Sequence, residues 1–278
     1  MTNDTVTDMA NVSSVIEKLS RFWLEQGCTI IEPFPHFMGA ATFHPQCVFR
    51  SLKKEDVAVA YCQPCCRPDD SRGGNSDDRL SNFHQFQVLI RPIPDRVLQL
   101  YSESLKFIGM NFSQADSVFL ADDWRSVSLS AYGFGSEHRV NGTEICQITY
   151  FASMGGCKVD PIIELAYGVE RIACALSQGD IMSLPWSNNM SYSDLYREYE
   201  EQKTIPLAHA DKLRSLIDNH IDMALCTIDR PLYSYDHYLE ASHIFNMLDA
   251  TGTLSNTTRQ QLMIKLISLI KKICQIYS

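Results

Sequence analysis

The chain changes its period part-way along, and that change does most to limit its fold. Up to about residue 167, apolar residues gather in short strand-like runs: 28–31, 57–62 (VAVAYC), 84–91 (HQFQVLIR), and stretches near 117–121, 144–151 and 162–167. Within 84–91, Phe86, Val88 and Ile90 share one face and Gln85 and Gln87 the other, the two-residue alternation of a strand. Helical spacing marks 14–26, 95–109 and the stretch from 169, and from about 209 it is the sole pattern. In the first of these, Ser14 and Glu17 are spaced as a capping box. Val12, Val15, Ile16, Leu19, Phe22 and Trp23 form its stripe, and Gly27 ends it. Leu262, Leu266, Leu269, Ile270 and Ile273 share a face of the last helix. Strands first and helices last argue for an α+β fold, an antiparallel sheet flanked by helices and then a small all-helical domain. A doubly wound parallel sheet would need the two to alternate throughout. We place the boundary in the polar stretch around 185–205, giving domains at 1–190 and 191–278.

Charge narrows the partners. Twenty-four Lys and Arg stand against 33 Asp and Glu, a net charge of -9, so a broad nucleic-acid surface on this chain is not expected. Ten cysteines are scattered through the chain, and residues 1–11 are polar and acidic rather than an apolar leader. Reduced thiols in a cytoplasmic setting are therefore expected. Cys62-x-x-Cys65 has zinc spacing but lacks a matching second pair. No run is long enough to cross a membrane. Phosphate-binding glycine loops and the G-x-S-x-G nucleophile elbow are absent.

Two stretches carry chemistry. Between the strands at 57–62 and 84–91 runs RPDDSRGGNSDDRLSNFHQF, residues 67–86, with Arg67, Arg72 and Arg79. Hairpin loops are usually about two to five residues, and longer ones are commonly functional or disordered. The second stretch is ELAYGVERIACAL, residues 164–176: a strand bearing Glu164, a glycine, then Glu170-Arg171 in a helix's first turn. The bland reading is a core strand, a turn and a surface ion pair. The sharper one is an arginine aimed at a nucleotide.

Arg67-x-Asp69, Arg79-x-x-x-Phe83 and the 164–176 element resemble motifs 2 and 3 of class II aminoacyl-tRNA synthetases, and the helix–proline element at 14–33 resembles motif 1. The likeness extends through FWLEQGCTIIEP, AYCQP, NFHQFQVLIRP, DDW, NGTEICQITYF, ELAYGVERIA and ASHIFNMLDA. In order and spacing these resemble the alpha subunit of bacterial heterotetrameric glycyl-tRNA synthetase. That resemblance implies ATP-dependent activation of glycine with Mg²⁺, a homodimer of this subunit, and a beta subunit that handles most of the tRNA. It implies that Arg67, with Asp69 beside it, meets the α-phosphate and Arg79 the γ-phosphate. Phe83 and Arg171 would sandwich the adenine, Arg171 facing the ring across about 7 Å. Glu164 is the candidate for Mg²⁺ or the substrate ammonium. Gln85 joins the ATP site, and Gln63, Gln87, Trp124, Glu144 and Gln147 the amino-acid pocket. Strict alternation puts Gln147 opposite Glu144 unless a bulge intervenes. His44 and His84 have no assigned partner.

The chain also departs from that pattern. Phe37 replaces a glutamate, Cys66 one of two arginines, Gly73 a tyrosine, and 132–139 (YGFGSEHR) a tryptophan-rich stretch lining the pocket; the chain also stops somewhat early. Two alternatives follow: a non-catalytic paralogue serving as a binding or regulatory module, and an enzyme activating another small amino acid.

Overall fold

A computed structural model describes residues 11–68, 80–202 and 209–278. Helix α1 (Val12–Glu25) begins earlier than its capping-box spacing implied. Its cap is Asn11, whose side chain accepts the Ser14 N–H at 2.7 Å. Starting there carries Val12 and Val15 into the core with Leu19, Phe22 and Trp23. Strand β1 (Thr29–Ile30) follows, then α2 (Pro45–Leu52), which the apolar spacing did not reveal. It is announced instead by Pro45 in its first turn and by the His44 ring, which accepts the Gln46 N–H.

The sheet is built from β2 (Val57–Cys66), β3 (Asn82–Arg91) and, after α3 (Val97–Phe107), from β4 (Ser117–Asp122), β5 (Arg125–Ser126), β6 (Ala131–Val140), β7 (Thr143–Met154), β8 (Cys157–Lys158) and β9 (Ile163–Gly168). Its order is β1-β2-β3-β9-β7-β6-β4, with β5 on β6 and β8 on β7. Every pairing is antiparallel except β1 on β2. Helix α4 (Val169–Ser177) leaves β9 directly. The hairpin β10 (Pro185–Ser187) and β11 (Met190–Ser191) leads into α5 (Tyr192–Gln202), and α6 (Ala210–Cys226), α7 (Pro231–Ala250) and α8 (Asn256–Tyr277) close the chain.

The faces of the sheet bury different partners. Phe86, Val88 and Ile90 of β3 pack with α1, α3 and α4, while Tyr61 and Leu89 pack with α2 and α6–α8. Leu262, Leu266, Leu269, Ile270 and Ile273 all face that second core, as their spacing implied. The terminal helices thus share a core with the sheet, and the Tyr235 hydroxyl donates to the Phe43 carbonyl at 2.7 Å. The expected division at 190/191 falls inside the β10–β11 hairpin, and Tyr192 is buried in the first core. Among the described residues no helix is long and apolar enough to cross a membrane.

Candidate functional site

The β2–β3 ladder runs from Val57↔Arg91 to Cys66↔Asn82, so Arg67 emerges level with the start of β3. Its backbone N–H bonds the Ser81 carbonyl at 2.7 Å and its Nε donates to the Gly39 carbonyl at 2.7 Å. Its guanidinium lies 5.0 Å above the Phe83 ring. Arg171, in the first turn of α4, reaches across to β7, where Nη1 donates to the Glu144 carbonyl at 3.1 Å and its carboxylate at 3.3 Å. Arg67, Phe83, Gln85, Glu144 and Arg171 line one cavity of about 180 Å³.

Phe83 and Arg171 line the same cavity, and a cation that the expected sandwich did not include also lies over the Phe83 ring. That cation is Arg67, because the Ser81 and Gly39 bonds hold it there. Arg171 is held by Glu144. A bulge brings that carboxylate within reach: His138 pairs with Cys146 but Arg139 with Glu144, leaving Ile145 as the extra residue. The same bulge sets Glu144 and Gln147 around one cavity, which strict alternation would forbid. Nor do Glu170 and Arg171 form a surface pair. Glu170 is buried, accepting from the His84 ring at 2.7 Å and from the His84 backbone N–H at 2.9 and 3.0 Å. The Tyr192 hydroxyl stands 3.3 Å from Glu170 and 2.8 Å from the Asn82 carbonyl.

A second, more open cavity of about 400 Å³ shares Arg67, Gln85, Glu144 and Ala166 with the first. Trp124 walls it, with its ring edge-on to Phe151, and Gln147 donates to Asp122 at 3.2 Å. Its floor follows sheet register. Asp122 pairs with Gly135, Gly135 with Thr149 and Thr149 with Glu164, a row crossing four strands. Glu164 is only 1% exposed. One of its oxygens takes the Gln87 amide and the Cys47 thiol. The other oxygen is shielded from solvent and, like the Gln87 carbonyl and the Thr149 hydroxyl, makes no well-formed hydrogen bond among the described residues. Burial drives the Glu164 carboxyl up to about 7, while the Thr42 side chain beside it favours its ionised form.

Two expected pocket residues have internal roles. The Gln63 side chain is held by Phe34, accepting its N–H at 2.8 Å and donating to its carbonyl at 3.1 Å. Gln87 is fully buried against Glu164. Gln85 lines both cavities and accepts the Ala41 N–H at 2.8 Å. Asp69, Arg79 and Gly73 lie outside the described residues. Of the departures, Phe37 lines neither cavity and stacks on His243 of α7, and Cys66 is buried with its N–H on the Met38 carbonyl. From 132–139, Glu137 alone lines the second cavity, where Arg139 grips it at 2.6 and 2.9 Å.

No three His, Cys, Asp or Glu side chains gather as a metal site among the described residues. Cys62 and Cys65 pack into opposite cores of the sheet and share no ion. Glu164 as a Mg²⁺ ligand fits poorly, because it lines the second cavity but not the one between Phe83 and Arg171. Mg²⁺ beside phosphates needs only one or two protein carboxylates; Glu144 lines both cavities, with its carboxylate on the Arg171 guanidinium at 3.3 Å.

Residues 12–278 match the protein family described as "Glycyl-tRNA synthetase alpha subunit". Two solved structures of pyrrolysyl-tRNA synthetase from Desulfitobacterium hafniense are also similar. One aligns at a TM-score of 0.47 and 14% identity, covering 66% of this chain and 75% of that one. The other aligns at 0.46 and 13%, covering 68% and 77%.

Proposed function

Since the match over residues 12–278 makes this chain a member of the glycyl-tRNA synthetase alpha subunit family, a family of aminoacyl-tRNA ligases, we propose that it activates glycine with ATP to glycyl-adenylate. The observation that carries the reading is the convergence of Arg67, Phe83, Glu144 and Arg171 on one cavity that opens into a second, acid-floored one. Adenine stacks on Phe83, and Arg67 is close enough to that ring to reach the α-phosphate. The amino acid sits in the second cavity with its ammonium on that other oxygen of Glu164 and its carboxylate toward Arg67.

A carboxylate oxygen then attacks the α-phosphorus in line. The bond to the β-phosphate oxygen breaks, pyrophosphate leaves with that electron pair, and no proton moves. Positioning and charge stabilisation do the catalysis, Arg67 holding the charge that grows on the α-phosphate oxygens. Mg²⁺, when bound, neutralises phosphate charge, and Glu144 is the carboxylate offered to it.

The finer expectations are a homodimer of this subunit, a beta subunit carrying most of the tRNA contact, and a cytoplasmic setting. The net charge of -9 supports a tRNA surface on another chain. A second reading, activation of a small amino acid other than glycine, draws on Arg139 gripping Glu137 at the second cavity. ATP–pyrophosphate exchange across small amino acids tests both. Glycine-dependent exchange that Arg67→Ala removes supports the first reading, exchange with another acid the second. Exchange with none, together with no ATP binding, overturns both.

A further inference from the structure

Glu170 and Arg171 are neighbours in the first turn of α4, yet they grip different strands. Arg171 holds Glu144 on β7, and Glu170 holds His84 on β3. The β3–β9 ladder ends at Gln85↔Gly168. At the next residue, where β9 has already turned into α4, the Glu170 carboxylate takes the His84 backbone N–H in place of a strand carbonyl. The His84 ring, donating at 2.7 Å, and the Tyr192 hydroxyl, reaching both Glu170 and the Asn82 carbonyl, tie down the same three residues. Phe83 is the middle one. All three clamp groups are buried, Glu170 at 3%, His84 at 8% and Tyr192 at 0% exposure. A carboxylate at a helix N-terminus is favoured by the macrodipole, so the clamp is stiff where it begins.

We infer that Glu170 is a positioning residue for the nucleotide: through His84 and Tyr192 it fixes the Phe83 ring relative to Arg171 and so sets the width of the slot that receives the base. The inference rests on the ATP-binding reading of that cavity. Glu170 borders the cavity, but its carboxylate oxygens are occupied by the His84 N–H, the His84 ring and the Tyr192 hydroxyl, so it acts on the base through Phe83. It therefore contributes to binding ATP in ground state and transition state alike, which moves KM and spares kcat.

The test is ATP–pyrophosphate exchange on the full chain with Glu170→Gln, Phe83→Leu and the double variant, each checked by thermal melting. The expected result is a KM for ATP about tenfold higher in Glu170→Gln, with kcat and the amino-acid KM within about twofold. The double variant should be no worse than Phe83→Leu alone, because both changes remove one interaction. Should Glu170→Gln fail to fold, Tyr192→Phe loosens the same clamp more gently and should raise the KM for ATP about threefold. Effects of Glu170→Gln (or Tyr192→Phe) and Phe83→Leu that multiply, or a fall in kcat with an unchanged KM, would overturn the positioning role while leaving the synthetase reading intact. A wild-type chain that neither binds ATP nor supports exchange would overturn that reading first, and this inference with it.

Discussion

Two buried glutamates, six residues apart, show how the two cavities differ. Glu170 lines the first cavity with the His84 ring, the His84 amide and the Tyr192 hydroxyl around it. Glu164 floors the second cavity with one oxygen held by Gln87 and Cys47 and the other, near Thr42, without a well-formed hydrogen bond among the described residues. A buried carboxylate with its lone pairs filled acts as framework. One left half-filled raises the free energy of the empty protein and gains from any cation that reaches it. The first cavity is thus braced before any ligand arrives, whereas the second keeps a partly unmet electrostatic demand that the proposed substrate ammonium would fill.

The comparison breaks most sharply at the arginines. In the synthetase reading Arg171 also meets the γ-phosphate of the departing pyrophosphate, so Arg171→Ala should lower adenylate formation by about 10²–10³-fold, the range for removing one donor to developing charge. The fold should survive, because Arg171 is part-exposed and anchors no core. Calorimetry showing ATP binding unchanged in this variant would remove Arg171 from the slot.

Next in size is the stability effect of Glu164. Its carboxyl rests at about 7 in the folded chain against an ordinary 4.5, so between those values the folded state keeps a proton that the unfolded state has released. Stability therefore falls as pH rises from about 4.5 to about 7, by something on the order of 3 kcal/mol. Glu164→Gln should flatten that slope and be the more stable protein at pH 8 in denaturant titrations. A wild-type stability that rises across this window would contradict the unmet-demand account.

On the proposed reading the same group should make substrate binding pH-dependent. An ammonium needs the ionised form of Glu164, so amino-acid affinity should rise about tenfold between pH 6 and pH 8, with ATP affinity changing less. Equal slopes for both ligands would mean that Glu164 does not face the amino acid.

Much of this was legible in the sequence, for reasons that also explain the failures. Strand alternation marked β3 because its two faces bury different cores, and the stripe from Leu262 to Ile273 marked α8 because it has a single buried face. Strand β6 escaped because Gly133, Gly135, Ser136 and His138 give no apolar alternation. Its one clear signal was Asn141-Gly142, both at positive φ in the turn to β7. Cavity residues declared themselves by type, but their pairings did not. The Ile145 bulge delivers Glu144 to Arg171, and the long-range contact from Glu170 to His84 has no local pattern at all. A sequence places Glu170 beside Arg171; only the turn from β9 into α4 parts their directions.

The smallest expected effect concerns Phe37, where the family resemblance anticipates a glutamate. Were this position a wall of the amino-acid cavity, Phe37→Glu would change substrate choice sharply, since one methylene in a pocket is worth ~1–3 kcal/mol. The Phe37 ring instead lies against His243 of α7, centroids 4.7 Å apart and planes at 20°, and it lines neither cavity. It is 53% exposed, so a carboxylate there stays solvated and carries little desolvation cost. Phe37→Glu should therefore cost about 0.5–1 kcal/mol for the lost ring stack. It should leave the amino-acid KM within about twofold. Denaturant titration and exchange kinetics on the single variant measure the two separately. A tenfold gain in glycine kcat/KM without a stability change would mean that residue 37 turns inward when substrate binds, and that the second cavity is completed by this loop as well as by the sheet.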